Sequence, residues 1–110
     1  NYIKNAPDIS GGYVDLGIAY SELNRTNDAI KALETAYNLA KTNEDKYIVC
    51  YNLAAIYSNA NKLDVALEYA KEAQQMSNDD DIKELISNIE HAKQSKSSAF
   101  KGRLNVNINN

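Results

Sequence analysis

The chain repeats itself with an offset of 37 residues, and this limits what it can fold into more than any other feature. Leu16-Gly17-x-x-Tyr20 returns as Leu53-Ala54-x-x-Tyr57. Counting 9, 13 and 16 residues beyond Tyr20 lands on Ala29, Leu33 and Ala36, and the same count from Tyr57 lands on Ala66, Ala70 and Ala73. Apolar positions three and four apart share one face of a helix, so each copy predicts a pair of helices. In the first copy, Tyr13, Leu16, Gly17, Tyr20 and Leu23 form the expected core face of a helix over roughly residues 12–23. Asn24-Arg25-Thr26-Asn27 interrupts the pattern with turn and capping residues, and Asp28 stands where a helix dipole favours an acid. A second helix over about 28–41 carries Ala29, Leu33, Ala36 and Ala40, followed by a polar loop from Lys41 to Lys46. In the second copy, Tyr47, Cys50, Leu53, Ala54 and Tyr57 repeat the first face. Asn59-Ala60-Asn61-Lys62 repeats the turn, and residues 63–76 repeat the second helix.

Composition agrees with close helix packing. The 110 residues are one domain's worth of chain. They include 14 alanines and 8 tyrosines but one Phe, one Met and no Trp. A core of large side chains is ruled out, which leaves helices held close together through small contact residues.

These residues resemble the tetratricopeptide repeat family, a helix-turn-helix unit of about 34 residues. The resemblance covers residues 7–78 and rests on the Leu-Gly-x-x-Tyr motif of the first helix and the spaced alanines of the second. It implies an all-α fold of antiparallel helix-turn-helix repeats, an α-solenoid fragment, with repeats over 10–43 and 44–78. Gly17, Ala54, Ala29, Ala36, Ala66 and Ala73 would allow close approach, and the tyrosines and leucines would fill the spaces. Three residues beyond the usual unit are expected in the Lys41–Lys46 loop, and Cys50 and Ala70 stand where the family has larger side chains. Proline commonly ends a preceding second helix nine residues before the motif leucine, where Pro7 stands relative to Leu16. Residues 1–9 are therefore expected to be the stub of an earlier repeat or a lead-in segment, with the natural protein continuing N-terminally; the alternative is that Pro7 simply begins a helix.

Beyond Met76, the cluster Ser77 to Asp81 supplies capping types ahead of Ile82, Leu85, Ile86 and Ile89 on one face. This stretch lacks the turn and spaced alanines of a third repeat and is expected to be a capping helix over 79–97. Charge is polarised along it, −4 over residues 79–90 and +4 over 91–110, the order that suits a helix dipole. The acidic run has neither the alternation nor the closing glutamate of a calcium loop. The polar tail, 98–110, is expected to be disordered, with a strand completed by something absent as the alternative.

No catalytic constellation can be assembled. His91 is the only histidine and has no acid or nucleophile partner in sequence. Cys50 falls on the predicted core face, and one cysteine can make neither an internal disulfide nor a multi-cysteine zinc site. Gly11-Gly12 lacks the Lys-Ser/Thr of a phosphate loop and is expected only to relax the start of the first helix. Asn24-Arg25-Thr26 matches the short glycosylation pattern, which recurs by chance. The chain is expected not to be an enzyme and to take no metal or cofactor. Net charge −3 and a pI near 5.1 argue against nucleic acid, and no run is apolar enough for a membrane span. The lack of disulfides leans towards the cytoplasm.

What is left is a surface. The resemblance implies a concave groove lined by the first helices, holding an extended peptide or a partner helix. Val14, Ile18, Ile48 and Tyr51 lie off the expected core stripe, and they form either a shallow sticky patch or a contact with a neighbouring repeat. Tyr51 is the expected aromatic anchor, with Val14 and Ile18 as apolar floor and Ala55 beside them. Asn52 precedes the motif leucine, where groove-forming members place an asparagine that reads a ligand backbone. Members that clamp a carboxylate terminus carry basic residues where this chain has Val14, Ile18, Ile82 and Ile86, so that specialisation is not expected. The expected function is non-catalytic protein–protein interaction. The rivals are a structural or self-associating segment of a longer array, with a homo-oligomer as one form, and a regulatory sensor attached to an absent enzyme.

Overall fold

The computed structural model describes residues 9–109, with side chains over 9–95. Among the described residues there are five helices and no strand: α1 (Ile9–Glu22), α2 (Thr26–Leu39), α3 (Asn43–Asn59), α4 (Leu63–Met76) and α5 (Asp80–Asn109). The pairs α1/α2 and α3/α4 pack as antiparallel hairpins, α2 lies against α3, and α5 closes over α4 and the flank of α3. Residues 1–8, including Pro7 and most of the expected stub, lie outside the described residues.

Both hairpin turns are built the same way. Asn24 and Asn61, 37 residues apart, adopt left-handed backbone with φ of 62° and 68°. Asparagine tolerates this region better than other non-glycine residues, where the conformation costs about 1–2 kcal/mol. The N–H of Arg25 donates to the Tyr20 carbonyl at 2.9 Å and that of Asn24 to the Ser21 carbonyl at 3.0 Å. Lys62 to Tyr57 and Asn61 to Ser58, each 2.9 Å, reproduce the pair in the second hairpin. This double bond pattern satisfies helix-end carbonyls that would otherwise be orphaned.

The packing inside each hairpin turns on one position. At Gly17 an added Cβ would sit 2.7 Å from Leu33 Cγ and 3.2 Å from the Ala29 carbonyl oxygen. In the second hairpin Ala54 takes the place of Gly17 and Ala70 that of Leu33, both fully buried. The space a leucine gives up accommodates the methyl that a glycine lacks. Val14, Ala29, Leu33, Ala36, Val49, Leu53 and Ile56 form one buried cluster. Cys50, Ala54, the alanines of α4, and Ile82, Ile86 and Ile89 of α5 form the next. Each of those isoleucines contributes about 1.5–3 kcal/mol of burial, which is what seats the cap. Tyr37, Tyr57 and Tyr69 pack against both clusters. Tyr69 stacks on Tyr57, centroids 5.9 Å apart, and meets Tyr37 edge-on at 6.0 Å. Tyr37 donates to Glu72 at 2.6 Å and Tyr57 to Glu34 at 3.0 Å, so hydroxyl–carboxylate bonds tie the two repeats together at the seam.

Three expectations require correction. On α1 the buried residues are Ser10, Val14 and Gly17, whereas Leu16 is 42% exposed and Tyr13 and Leu23 are also exposed. The counterpart of Leu16, Leu53, is fully buried because α2 and Val14 of the first repeat cover it. Among the described residues no equivalent helix covers that flank of α1. The additional residues do not lengthen the loop after α2. Thr42 caps α3 by accepting the Asp45 N–H at 3.0 Å, Glu44 and Asp45 favour the positive helix end, and α3 simply starts a turn earlier. Finally, α5 runs past residue 97 as a continuous helix to Asn109, over the stretch expected to be loose. There is no proline in 98–109, and the cations lie towards the negative end of the helix dipole, against the weak helix former Gly102.

Two glycine substitutions in one helix should have opposite signs. An added Cβ at Gly12 meets nothing within 4 Å, so Gly12→Ala should raise stability by about 0.5–1 kcal/mol through backbone entropy. Gly17→Ala should lower it by about 1–3 kcal/mol through overpacking against Leu33, despite alanine's better helix propensity. Urea unfolding followed by circular dichroism checks both.

Candidate functional site

The N-terminal halves of α1 and α3 lie side by side, and small residues on one face larger ones on the other. Gly11 of α1 is the positional counterpart of Ile48 in α3, and where the glycines leave α1 thin a depression of about 430 Å3 opens. Ser10, Gly11, Gly12, Val14 and Asp15 line it from α1, and Asp45 and Ile48 from α3. Ile48 also borders a second depression of about 460 Å3, with Asn43, Glu44, Asp45, Tyr47, Met76 and Ser77. A smaller one of about 190 Å3 follows, lined by Tyr47, Ile48, Tyr51, Asn52 and Asp81. Ile48 is therefore the common wall of three adjoining hollows, and it is 46% exposed.

The expected groove residues divide on this surface. Val14 is 6% exposed and belongs to the core cluster of the first hairpin, yet its edge reaches the first hollow. It is buried because α1 turns this side towards α3, and the residues expected to take that place, Tyr13 and Leu16, face away. Tyr51, the positional counterpart of Val14, is half-buried against the second cluster and lines the smallest hollow. Asn52 lines it too, but its Nδ2 donates to the Ile48 carbonyl of its own helix at 2.8 Å, which engages part of the amide. Ile18 is exposed and Ala55 half-buried, and neither lines these hollows. The structure thus sets Tyr51 and Asn52 in one hollow and Val14 in another, with Ile48 common to both, and leaves Ile18 and Ala55 along the continuation of the helices.

Sequence reasoning under-weighted Ile48 and passed over the carboxylates. Ile48 was visible as an apolar residue off the core stripe, and its pairing with Gly11 at the 37-residue offset was the signal that would have ranked it first. Tyr47 was expected in the core face; it is half-buried and its hydroxyl donates to both carboxylate oxygens of Asp79, at 2.9 and 2.8 Å. Asp79 also caps α5 by accepting the Ile82 N–H at 2.9 Å. This pins the cap to the first helix of the second repeat at the edge of the hollows. The bonds from Ile82, Tyr47 and Ser77 hold the Asp79 carboxyl below the usual range.

The remaining candidates for chemistry are placed elsewhere. Cys50 is a free, fully buried thiol that burial pushes up to about 12. His91 is exposed on α5. Among the described residues no group of three His, Cys, Asp or Glu side chains could hold a metal ion, and no helix is long and apolar enough to cross a membrane.

A family model for the tetratricopeptide repeat matches residues 11–43 and, a second time, residues 47–80. The chain belongs to the tetratricopeptide repeat family. The residues between the two matches, 44–46, are the early turn of α3 that Thr42 caps. Tetratricopeptide repeats generally serve as protein–protein interaction modules and are typically non-catalytic scaffolds. No curated protein matches the chain.

Tyrosine ionisation should report on this architecture. The hydrogen bond to Glu72, then burial, pushes Tyr37 up to about 12; burial first, then Glu34, does the same for Tyr57, and burial first, then Asp79, for Tyr47. Folded values above the unfolded ones mean that these groups stabilise the fold in full below about pH 10 and lose that contribution as pH rises towards 12. Spectrophotometric titration should show a late-ionising set of tyrosines, with the loss of helix by circular dichroism tracking their ionisation.

Proposed function

We propose that the chain is a non-catalytic protein-interaction module that holds a peptide or a partner helix on the face formed by α1 and α3. The observation that carries this reading is Ile48, a large aliphatic side chain nearly half exposed at the junction of three hollows. An isolated exposed isoleucine needs no explanation, but one that walls adjoining hollows offers a ligand side chain apolar contact on several sides. Val14 supplies the floor of the first hollow and Tyr51 an aromatic edge with a polar tip in the last. Asn52 offers its remaining amide capacity to a ligand backbone. Ile18 and Ala55 extend the surface towards the far end of the helices.

Ile48→Ser combined with Asn52→Ala tests the reading without disturbing the core, since neither residue is buried. Affinity capture from an extract of the source organism, with wild type and variant compared, should recover a partner that the variant binds at least about tenfold more weakly. Equal capture by both proteins, with the variant's helix content intact, would sink the reading.

A second reading is favoured by a different observation. Tyr13, Leu16 and Tyr20 border a depression of about 190 Å3 with Asp28, Lys31, Ala32 and Thr35 of α2, on the flank that is covered in the second repeat. On this reading the chain is a structural segment of a longer array, or self-associates through that flank. Light scattering of the wild type should then show a concentration-dependent dimer that Leu16→Glu abolishes; a monomer at all concentrations would rule out self-association.

A further inference from the structure

The hollows around Ile48 are one-sided in charge. Asp15 and Asp45 line the first, Glu44 and Asp45 the second, and Asp81 the third, and no lysine or arginine lines any of them. Lys46, the nearest cation in sequence, has its ammonium 5.8 Å from the Tyr37 ring centroid, over the inter-repeat seam. Among the described residues none of the four carboxylates is in an ion pair. Of these, Asp81 is also felt at Tyr51, whose hydroxyl is pushed up by burial first and then by Asp81, Glu84 and Asp79.

Part of this charge has another explanation. Glu44 and Asp45 are in the first turn of α3, and Asp81 in the first turn of α5, where acids stabilise the helix dipole. Asp15 has no such role. It is in the second turn of α1, it makes no ion pair or hydrogen bond with a described residue, and it stands across the first hollow from Asp45. The carboxylates also bracket the apolar wall: Asp15 and Asp45 share the hollow on one side of Ile48, and Asp81 shares with Tyr51 the hollow on the other.

Resting on the interaction reading above, we infer that the occupant of this surface is a cationic peptide segment, with an apolar side chain seated against Ile48 and Tyr51 and Lys or Arg on either side of it. Complementary charge would steer such a segment to the face and set its register, and apolar contact with Ile48 would hold it there. An acidic segment would meet four like charges and no compensating cation.

Two fluorescent synthetic peptides test this with the full chain, identical in their central leucines and differing only in carrying lysines or glutamates around them. The lysine peptide should bind at least about tenfold tighter at low salt, and the gap should narrow as salt screens the carboxylates. Asp15→Lys should weaken the lysine peptide by about fivefold or more, and Ile48→Ser should weaken it as well. If the glutamate peptide binds as tightly and Ile48→Ser removes it, the charge inference fails while the interaction surface stands. Lysine-peptide binding indifferent to both substitutions would mean diffuse attraction to an acidic protein and would also overturn the inference. If neither peptide binds, the inference fails; the interaction reading then falls with it only where Ile48→Ser, Asn52→Ala also leaves partner capture unchanged.

Discussion

The distance between the helices of a hairpin is set where Gly17 meets Leu33 in the first repeat and Ala54 meets Ala70 in the second. With 2.7 Å between a hypothetical Cβ at Gly17 and Leu33 Cγ, α1 and α2 are as close as their side chains permit. The second repeat reaches its own close approach with the sizes exchanged, a methyl on the first helix against a methyl on the second. Because α2 also packs on α3, the position of α2 against α1 fixes where α1 lies beside α3. The hollow between α1 and α3 therefore depends on a contact on the other side of the helix. It remains open because Gly11 and Gly12 place no bulk where Ile48 stands on the neighbouring helix.

Ala70 has a consequence at the other end of the chain. A leucine there, as at position 33, would fill the hairpin alone. Three buried alanines and Leu63 leave α4 with a shallow face, and Ile82, Ile86 and Ile89 of α5 supply the volume. The second hairpin is thus completed by the cap, and the hydroxyl of Tyr47 on Asp79 fastens that cap at its first turn. Charge polarity along α5 works in the same direction, with acids at its start and Lys93 bonded to Asp64 of α4 at 2.7 Å further along. That exposed pair adds little by itself; the isoleucines do the seating.

The hairpins were legible because the 37-residue offset repeats size as well as hydropathy, and only paired helices use small residues at those intervals. The turns were legible for the same reason, since Asn24 and Asn61 are turn residues in equivalent places. The assignment of faces on α1 was not. Periodicity tells which residues share a side of a helix, but Leu16 and Leu53 have identical local patterns, and their burial differs because one has a neighbouring repeat over it. For Val14 the sequence leaves a sticky patch and a contact with a neighbouring repeat both open, and the structure shows the contact, because this side of α1 meets α3. The Thr42 cap was readable in principle, with Asp45 three residues on and acids in the first turn, but the family spacing drew attention to a loop. Of the residues that line the hollows, Val14, Ile48, Tyr51 and Asn52 are singled out by the sequence pattern. The carboxylates around Ile48 are not, because they come from separate helices that only the fold brings to one surface.

Two exposed apolar features among the described residues differ in kind. The flank of Tyr13, Leu16 and Tyr20 has a covered counterpart within the same chain, so the packing of one repeat on the next shows how such a flank is covered. Ile48 has no such counterpart: its positional equivalent is Gly11, and covering it is no part of how one repeat packs on the next. A side chain that stays exposed under the fold's own packing logic, beside hollows that the same logic leaves open, is explained neither by the core nor by the stacking of repeats. That distinguishes the flank a further repeat could cover from the surface proposed for a ligand, where carboxylates flank the apolar wall of Ile48.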